Sequence, residues 1–80
     1  MRSAELQAFE RLQGLGEIPG EELFSPNKSG KGYYTNLEEV YAFGRLQRMG
    51  AIPGKEPFDD SKAGKRYYTK LLKEESAKIE

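Results

Sequence analysis

The chain has 80 residues, 13 of them basic and 13 acidic, for a formal net charge of zero, and it contains neither Cys nor His. That length excludes a multi-domain enzyme, since domains run to roughly 100 to 150 residues, and the two missing residue types exclude disulfides, thiolate chemistry, Cys-type metal sites and the commonest general base. With 36% hydrophobic and 32% charged residues the core must be thin, yet five Tyr and four Phe argue for a folded chain, because disordered chains are poor in aromatics and usually carry a large net charge.

The spacing of Leu6, Phe9, Leu12 and Leu15 predicts a helix over 4–15, with Ser3 as N-cap and Gly16 to end it in a left-handed turn. At Ile18-Pro19-Gly20 the chain turns back, since Pro blocks a helix and Gly permits the reversal. Glu21-Glu22-Leu23-Phe24 and Tyr33-Tyr34-Thr35 then read as two short extended arms around a Gly-rich turn from Ser25 to Gly32. Thr35-Asn36-Leu37-Glu38 has capping-box form and opens a second helix with apolar positions Leu37, Val40, Tyr41, Phe43, Leu46 and Met49, closed by Gly50. Ile52-Pro53-Gly54 repeats the turn. A second pair of arms follows, with Pro57 confining its strand to an edge, and Thr69 opens a third helix carrying Leu71, Leu72 and Ile79. The run Lys73 to Lys78 reads as its solvated, fraying end.

These elements are one unit written twice. Sliding the chain by 34 residues lays Ala8-Phe9 on Ala42-Phe43, Arg11-Leu12-Gln13 on Arg45-Leu46-Gln47, Ile18-Pro19-Gly20 on Ile52-Pro53-Gly54 and Tyr33-Tyr34-Thr35 on Tyr67-Tyr68-Thr69. No gap is needed, and a period in the range of roughly 20 to 50 residues is the mark of stacked supersecondary units. The expected fold is α+β and helix-dominated, in the order α-ββ-α-ββ-α with very short strands. Residues 1–80 are expected to form a single domain of two repeats, 5–38 and 39–72, with a fraying end at 73–80. Ile18, Phe24, Tyr34, Ile52, Phe58 and Tyr68 are expected to share one core, because a single unit of this kind cannot bury its own apolar face.

The polar pattern common to both copies is Lys-x-Gly-Lys-x-Tyr-Tyr-Thr, at Lys28 to Thr35 and at Lys62 to Thr69. Alternation in an extended arm puts one Tyr of each pair in the core and one outside. Lys28, Lys31, Lys62 and Lys65 beside an exposed Tyr33 or Tyr34, and Tyr67 or Tyr68, offer positive charge, turn amides and a stacking face, which suits phosphate, nucleic acid or an acidic peptide. The bland alternative is a turn with solvated lysines and core tyrosines.

Charge is uneven along the chain. Four basic and seven acidic residues give residues 1–41 a net charge of −3, whereas nine and six give residues 42–80 a net charge of +3. From Ser61 to Lys73 there are Lys62, Lys65, Arg66, Lys70 and Lys73 and no acid, so a polyanion would choose the second copy. The isoelectric point near 6.3 is low for a nucleic-acid-binding domain, and opposed halves equally suit self-association or docking on a charged protein.

Familiar loop motifs are absent. Gly30-Lys31-Gly32 lacks the upstream Gly and the following Ser or Thr of a phosphate-binding loop, Lys31 and Lys65 stand where a calcium loop needs an oxygen ligand, and Asn27-Lys28-Ser29 matches a glycosylation sequon by chance. The stretch Leu46-Gln47-Arg48-Met49-Gly50-Ala51-Ile52-Pro53-Gly54, with the Gly-Lys-Arg turn after it, resembles the recognition-helix end and wing of excisionase-type and MerR-like winged-helix DNA-binding domains. The resemblance covers about a third of the chain and implies Arg45, Arg48, Lys65 and Arg66 as phosphate and base contacts. Those families place a tight turn between two helices before that point, whereas Thr35 to Met49 reads as one uninterrupted helix.

No apolar run approaches the about 18 residues that span a bilayer, and Met1-Arg2-Ser3-Ala4-Glu5 lacks a signal-peptide stretch, so the expected setting is cytoplasmic, away from membranes. The expected function is a small non-enzymatic adaptor without metal or small-molecule cofactor, binding a protein partner or its own copies, with Phe58 near its tyrosine anchors. The alternative is DNA or RNA binding through residues 61–73. Salt separates the two, because phosphate-driven binding weakens steeply with ionic strength.

Overall fold

The computed structural model describes residues 3–79, with side chains through Lys78. Five helices follow one another: α1 (Ala4–Gly14), α2 (Pro26–Gly30), α3 (Tyr33–Arg48), α4 (Asp60–Gly64) and α5 (Tyr67–Ile79). No described residue lies in a strand, so the expected α+β order with two strand pairs is corrected to an all-helical fold. The apolar role expected of Ile79 lies outside the described side chains.

The segments read as strand arms become helical for local reasons. Ser25 has extended backbone and its Oγ accepts from Lys28 N at 3.3 Å, while Pro26 occupies the first helical position, where a missing amide costs nothing. One helical turn starts there. In the second copy Asp59 takes the same role, accepting from Ser61 N at 2.8 Å and Lys62 N at 3.2 Å. After each short helix one residue adopts left-handed backbone, Gly32 at φ 71° and Arg66 at φ 62°, and the chain enters the next helix at once. No length remains for a returning arm.

Tyr33-Tyr34 and Tyr67-Tyr68 are therefore the first residues of α3 and α5. Thr35 is not the N-cap that its capping-box form suggests: its hydroxyl donates to Gly32 O at 3.2 Å, and Glu38 pairs instead with Arg11 at 2.6 and 2.9 Å. Thr69 likewise donates to Arg66 O at 3.1 Å. Carboxylates from earlier in the chain accept from the first amides of these helices. Glu5 on α1 accepts from Tyr34 N at 3.0 Å and Thr35 N at 3.1 Å, and Glu39 on α3 accepts from Tyr68 N at 3.0 Å and Thr69 N at 3.3 Å. A carboxylate at this place answers both the unpaired amides and the positive end of the helix dipole.

Contacts divide the chain into two units, residues 1–38 and 39–80, with the division inside α3. The first unit buries Ala8, Phe9, Leu12, Ile18 and Tyr34, with Leu6, Phe24 and Leu37 packed against them. The second buries Ala42, Phe43, Leu46, Ile52, Ala63 and Tyr68, with Ala51, Phe58, Leu71 and Leu72 against them. The single shared core expected for six of these residues is corrected accordingly, since three fall in each cluster and the clusters have no member in common. One unit can fill a core of its own because three aromatic rings meet in it, each burying a large area.

Leu15 and Met49 sit just past the ends of α1 and α3 and are 51% and 36% exposed, so the buried stripes end at Leu12 and Leu46. Gly16 at φ 84° and Gly50 at φ 81° make the left-handed exits. The Ile-Pro-Gly loops beyond them are pinned by a repeated glutamine. Gln13 Nε2 lies 3.1–3.2 Å from the carbonyl oxygens of Pro19, Gly20 and Glu22, and Gln47 Nε2 lies 3.2–3.4 Å from those of Pro53, Gly54 and Glu56.

Candidate interaction surface

Adjacent helix residues point about 100° apart, so a helix start also separates each tyrosine pair, although not by the strand alternation that the sequence suggests. Tyr34 and Tyr68 are fully buried, while Tyr33 and Tyr67 are 43% and 42% exposed. The inner rings are structural. Tyr34 stacks on Phe24 at 5.2 Å and its hydroxyl accepts from Ser25 N at 2.9 Å; Tyr68 stacks on Phe58 at 5.2 Å and accepts from Asp59 N at 3.0 Å. Phe58 thus belongs to a core.

The outer rings carry lysines. Lys28 Nζ on α2 lies 5.0 Å from the Tyr33 centroid and Lys62 Nζ on α4 lies 5.3 Å from that of Tyr67, both within cation–π range. Lys31 and Lys65 are exposed at the C-caps of α2 and α4, where a cation meets the negative end of a helix dipole. Much of the repeated polar pattern therefore has a scaffold role.

Among the arginines, Arg45 lies 6.0 Å over the Tyr41 ring and Nη1 donates to its hydroxyl at 3.5 Å, and Arg48 is exposed at the end of α3. Arg66 is held inward, with Nη1 3.3 Å from Oε2 of the fully buried Glu39. Arg11 is raised above its ordinary value by its hydrogen bond to Glu38, against a smaller opposing effect of desolvation. Lys70 and Lys73 are exposed on α5 and follow Tyr67 at three-residue spacing, so the three share one strip of that helix.

The fold thus gathers Lys62, Lys65, Tyr67, Lys70 and Lys73 on α4 and α5 of the second unit, leaves Lys28, Lys31 and Tyr33 in the first, and puts Arg45 and Arg48 on α3. An open groove of about 380 Å³ runs beside Lys62, walled by Phe58 and by the acidic Glu56, Asp59 and Asp60. Compared with protein-family models, curated proteins and solved structures, the chain matches none. The local likeness to a wing lapses with the strands, because that segment is α4 and the turn after it. Among the described residues no helix is long and apolar enough to cross a membrane.

Sequence reasoning passed over Glu5 and Glu39, which hold the helix starts, and Leu23, which is 85% exposed. The carboxylates had a signal, since they stand one period apart, just upstream of the aligned block. Leu23 had none, because a lone leucine beside Phe24 reads as core.

Proposed function

We propose that this chain is a small non-enzymatic interaction module that docks on a protein partner or on its own copies, with Tyr33 and Tyr67 as aromatic anchors. The observation that carries this reading is a repeated exposure: each unit holds an outward tyrosine under a lysine, on a helix start fixed by a carboxylate. A ring already held in place loses little freedom on binding, and Tyr is among the residues favoured at interface hot spots. Leu15 and Leu23 add apolar surface on the first unit. Without His or Cys, acid–base work falls to carboxylates, Lys and Tyr, which favours binding over catalysis as the role. The same proposal sets the module in the cytoplasm and asks for no cofactor.

Selection of a displayed random-peptide library on the immobilised protein tests it. The expected result is an enriched motif whose affinity falls about tenfold or more when Tyr33→Ala and Tyr67→Ala are combined, with the far-ultraviolet circular dichroism unchanged. A motif that binds the double variant equally well removes the tyrosines from the interface. No enrichment at all counts against peptide docking.

A further inference from the structure

Two copies of one scaffold allow its surface to be read against its core. From residues 5–38 to residues 39–72 every basic position is kept, Arg11 as Arg45, Lys28 as Lys62 and Lys31 as Lys65. Four more appear: Arg48 for Gly14, Lys55 for Glu21, Arg66 for Gly32 and Lys70 for Asn36. Three cations against six carboxylates become seven against four. Packing does not ask for this change, because the aromatic triads of the two units are alike.

Of the four gained cations Arg48, Lys55 and Lys70 are exposed, and Lys70 joins the two kept lysines and Lys73 in one run. Lys62, Lys65, Lys70 and Lys73 are all exposed, none forms a salt bridge with a described carboxylate, and no acid interrupts Ser61 to Lys73. Like charges at this density repel, a cost that an anionic ligand relieves. Tyr67 stands in the same strip with 42% of its surface open.

From this we infer that the second unit binds single-stranded nucleic acid, with Lys62, Lys65, Lys70 and Lys73 on backbone phosphates and Tyr67 as the stacking face for a base. A cationic track with an aromatic platform is how proteins hold single strands without reading sequence. Glu56, Asp59 and Asp60 repel phosphate, so the strand follows α5 and avoids the groove beside Lys62. An acidic protein surface would meet the lysines equally but offers no base to lie flat on the ring. This inference stands on the second unit alone and not on the peptide-docking reading.

The test is fluorescence anisotropy of a labelled oligothymidylate of about ten nucleotides, titrated with the full chain across a range of salt. Saturable binding is expected, with log K falling by about 2 to 3 per tenfold rise in salt, as for three or four phosphates on a single strand. Lys70→Asn, which restores the first copy's residue, should flatten that slope by about 0.7. Tyr67→Leu should weaken binding about tenfold and leave the slope unchanged. Circular dichroism of both variants checks that they remain folded. Absence of binding at low salt overturns the inference. So does a poly-glutamate peptide that binds as tightly as the oligonucleotide, or a Tyr67→Leu variant with unchanged affinity, either of which reassigns the strip to acidic protein.

Discussion

In the first unit Phe9, Phe24 and Tyr34 meet at 5.4, 5.0 and 5.2 Å; in the second Phe43, Phe58 and Tyr68 meet at 5.4, 4.9 and 5.2 Å. Their surface charges share no such likeness, since the net charge of the repeat passes from −3 over residues 5–38 to +3 over residues 39–72. The contrast shows which positions the scaffold holds. Where a side chain answers backbone groups, the residue is kept, as in Glu5 and Glu39, Gln13 and Gln47, or Tyr34 and Tyr68, or is exchanged for another acceptor, as in Ser25 and Asp59. Where only a left-handed backbone is needed, Gly32 gives way to Arg66, which gains a partner in Glu39. α5 repeats the first turn of α3 but not its continuation: Lys73, Ser76 and Ala77 stand where α3 has Glu39, Ala42 and Phe43. That helix closes one unit without the residues that open another.

The hardest test of likeness is to remove the central ring from each unit. Tyr34→Ala and Tyr68→Ala should each cost about 3–5 kcal/mol in urea unfolding, as for other fully buried aromatics. The two costs should agree within about 1 kcal/mol, because the same neighbours lose the same contacts. A wide gap would break the equivalence of the cores. Tyr→Phe at either site should cost about 1–3 kcal/mol by stranding the amide of Ser25 or Asp59.

The capping carboxylates should separate the units. Glu39 is fully buried and serves two amides and a guanidinium, whereas Glu5 is half-buried and serves two amides opposite a glycine turn. Glu39→Ala should therefore cost about 3 kcal/mol, since the pairing of Glu39 with Arg66 is lost along with the helix start. Glu5→Ala should cost about 1 kcal/mol, the ordinary worth of an N-cap. In an Arg66→Gly background the difference should shrink, which a double-mutant cycle reads directly.

The three long helices were legible in the sequence, and so were the Ser3 cap and the two glycine exits, because those signals are local and lie beside the residues they affect. The starts of α3 and α5 were not. Their amides are answered by carboxylates 29 and 30 positions upstream, so the nearby Thr35 and Glu38 mimicked a capping box while doing other work. The Gly-rich segment looked like a hairpin turn because Ser, Pro, Gly and Asn serve tight turns and one-turn helices alike. Of the candidate surface, the tyrosine pair and the basic run were visible in the residue order. Which tyrosine faces out, and that Lys28 and Lys62 lie over it, depended on a helix phase that the strand reading did not contain.

The left-handed position offers a smaller contrast. Gly32→Ala should cost about 1–2 kcal/mol, the penalty for a Cβ in that backbone region, with no clash to add, since its nearest neighbour would be Thr35 Oγ1 at 3.8 Å. Arg66→Gly relieves the same penalty but releases Glu39, so the two effects should nearly cancel in thermal unfolding. A strongly stabilised Arg66→Gly variant would show that the Arg66–Glu39 pair contributes little.

The smallest expected effect is the most informative about the surface. At similar distances from their rings, Lys28 and Lys62 should each contribute about 0.5 kcal/mol through the cation–π contact. Lys62, however, shares its strip with Lys65, Lys70 and Lys73, whereas the positions one period earlier than Lys70 and Lys73 hold Asn36 and Glu39. Repulsion among the lysines should offset the attraction to Tyr67, so that at low salt Lys62→Gln costs less than Lys28→Gln. Raising the salt screens exposed charges over about 8–10 Å and should bring the two costs together. Equal costs at every salt would mean that the lysines do not feel one another, and the electrostatic case for a polyanion on the second unit would fall with them.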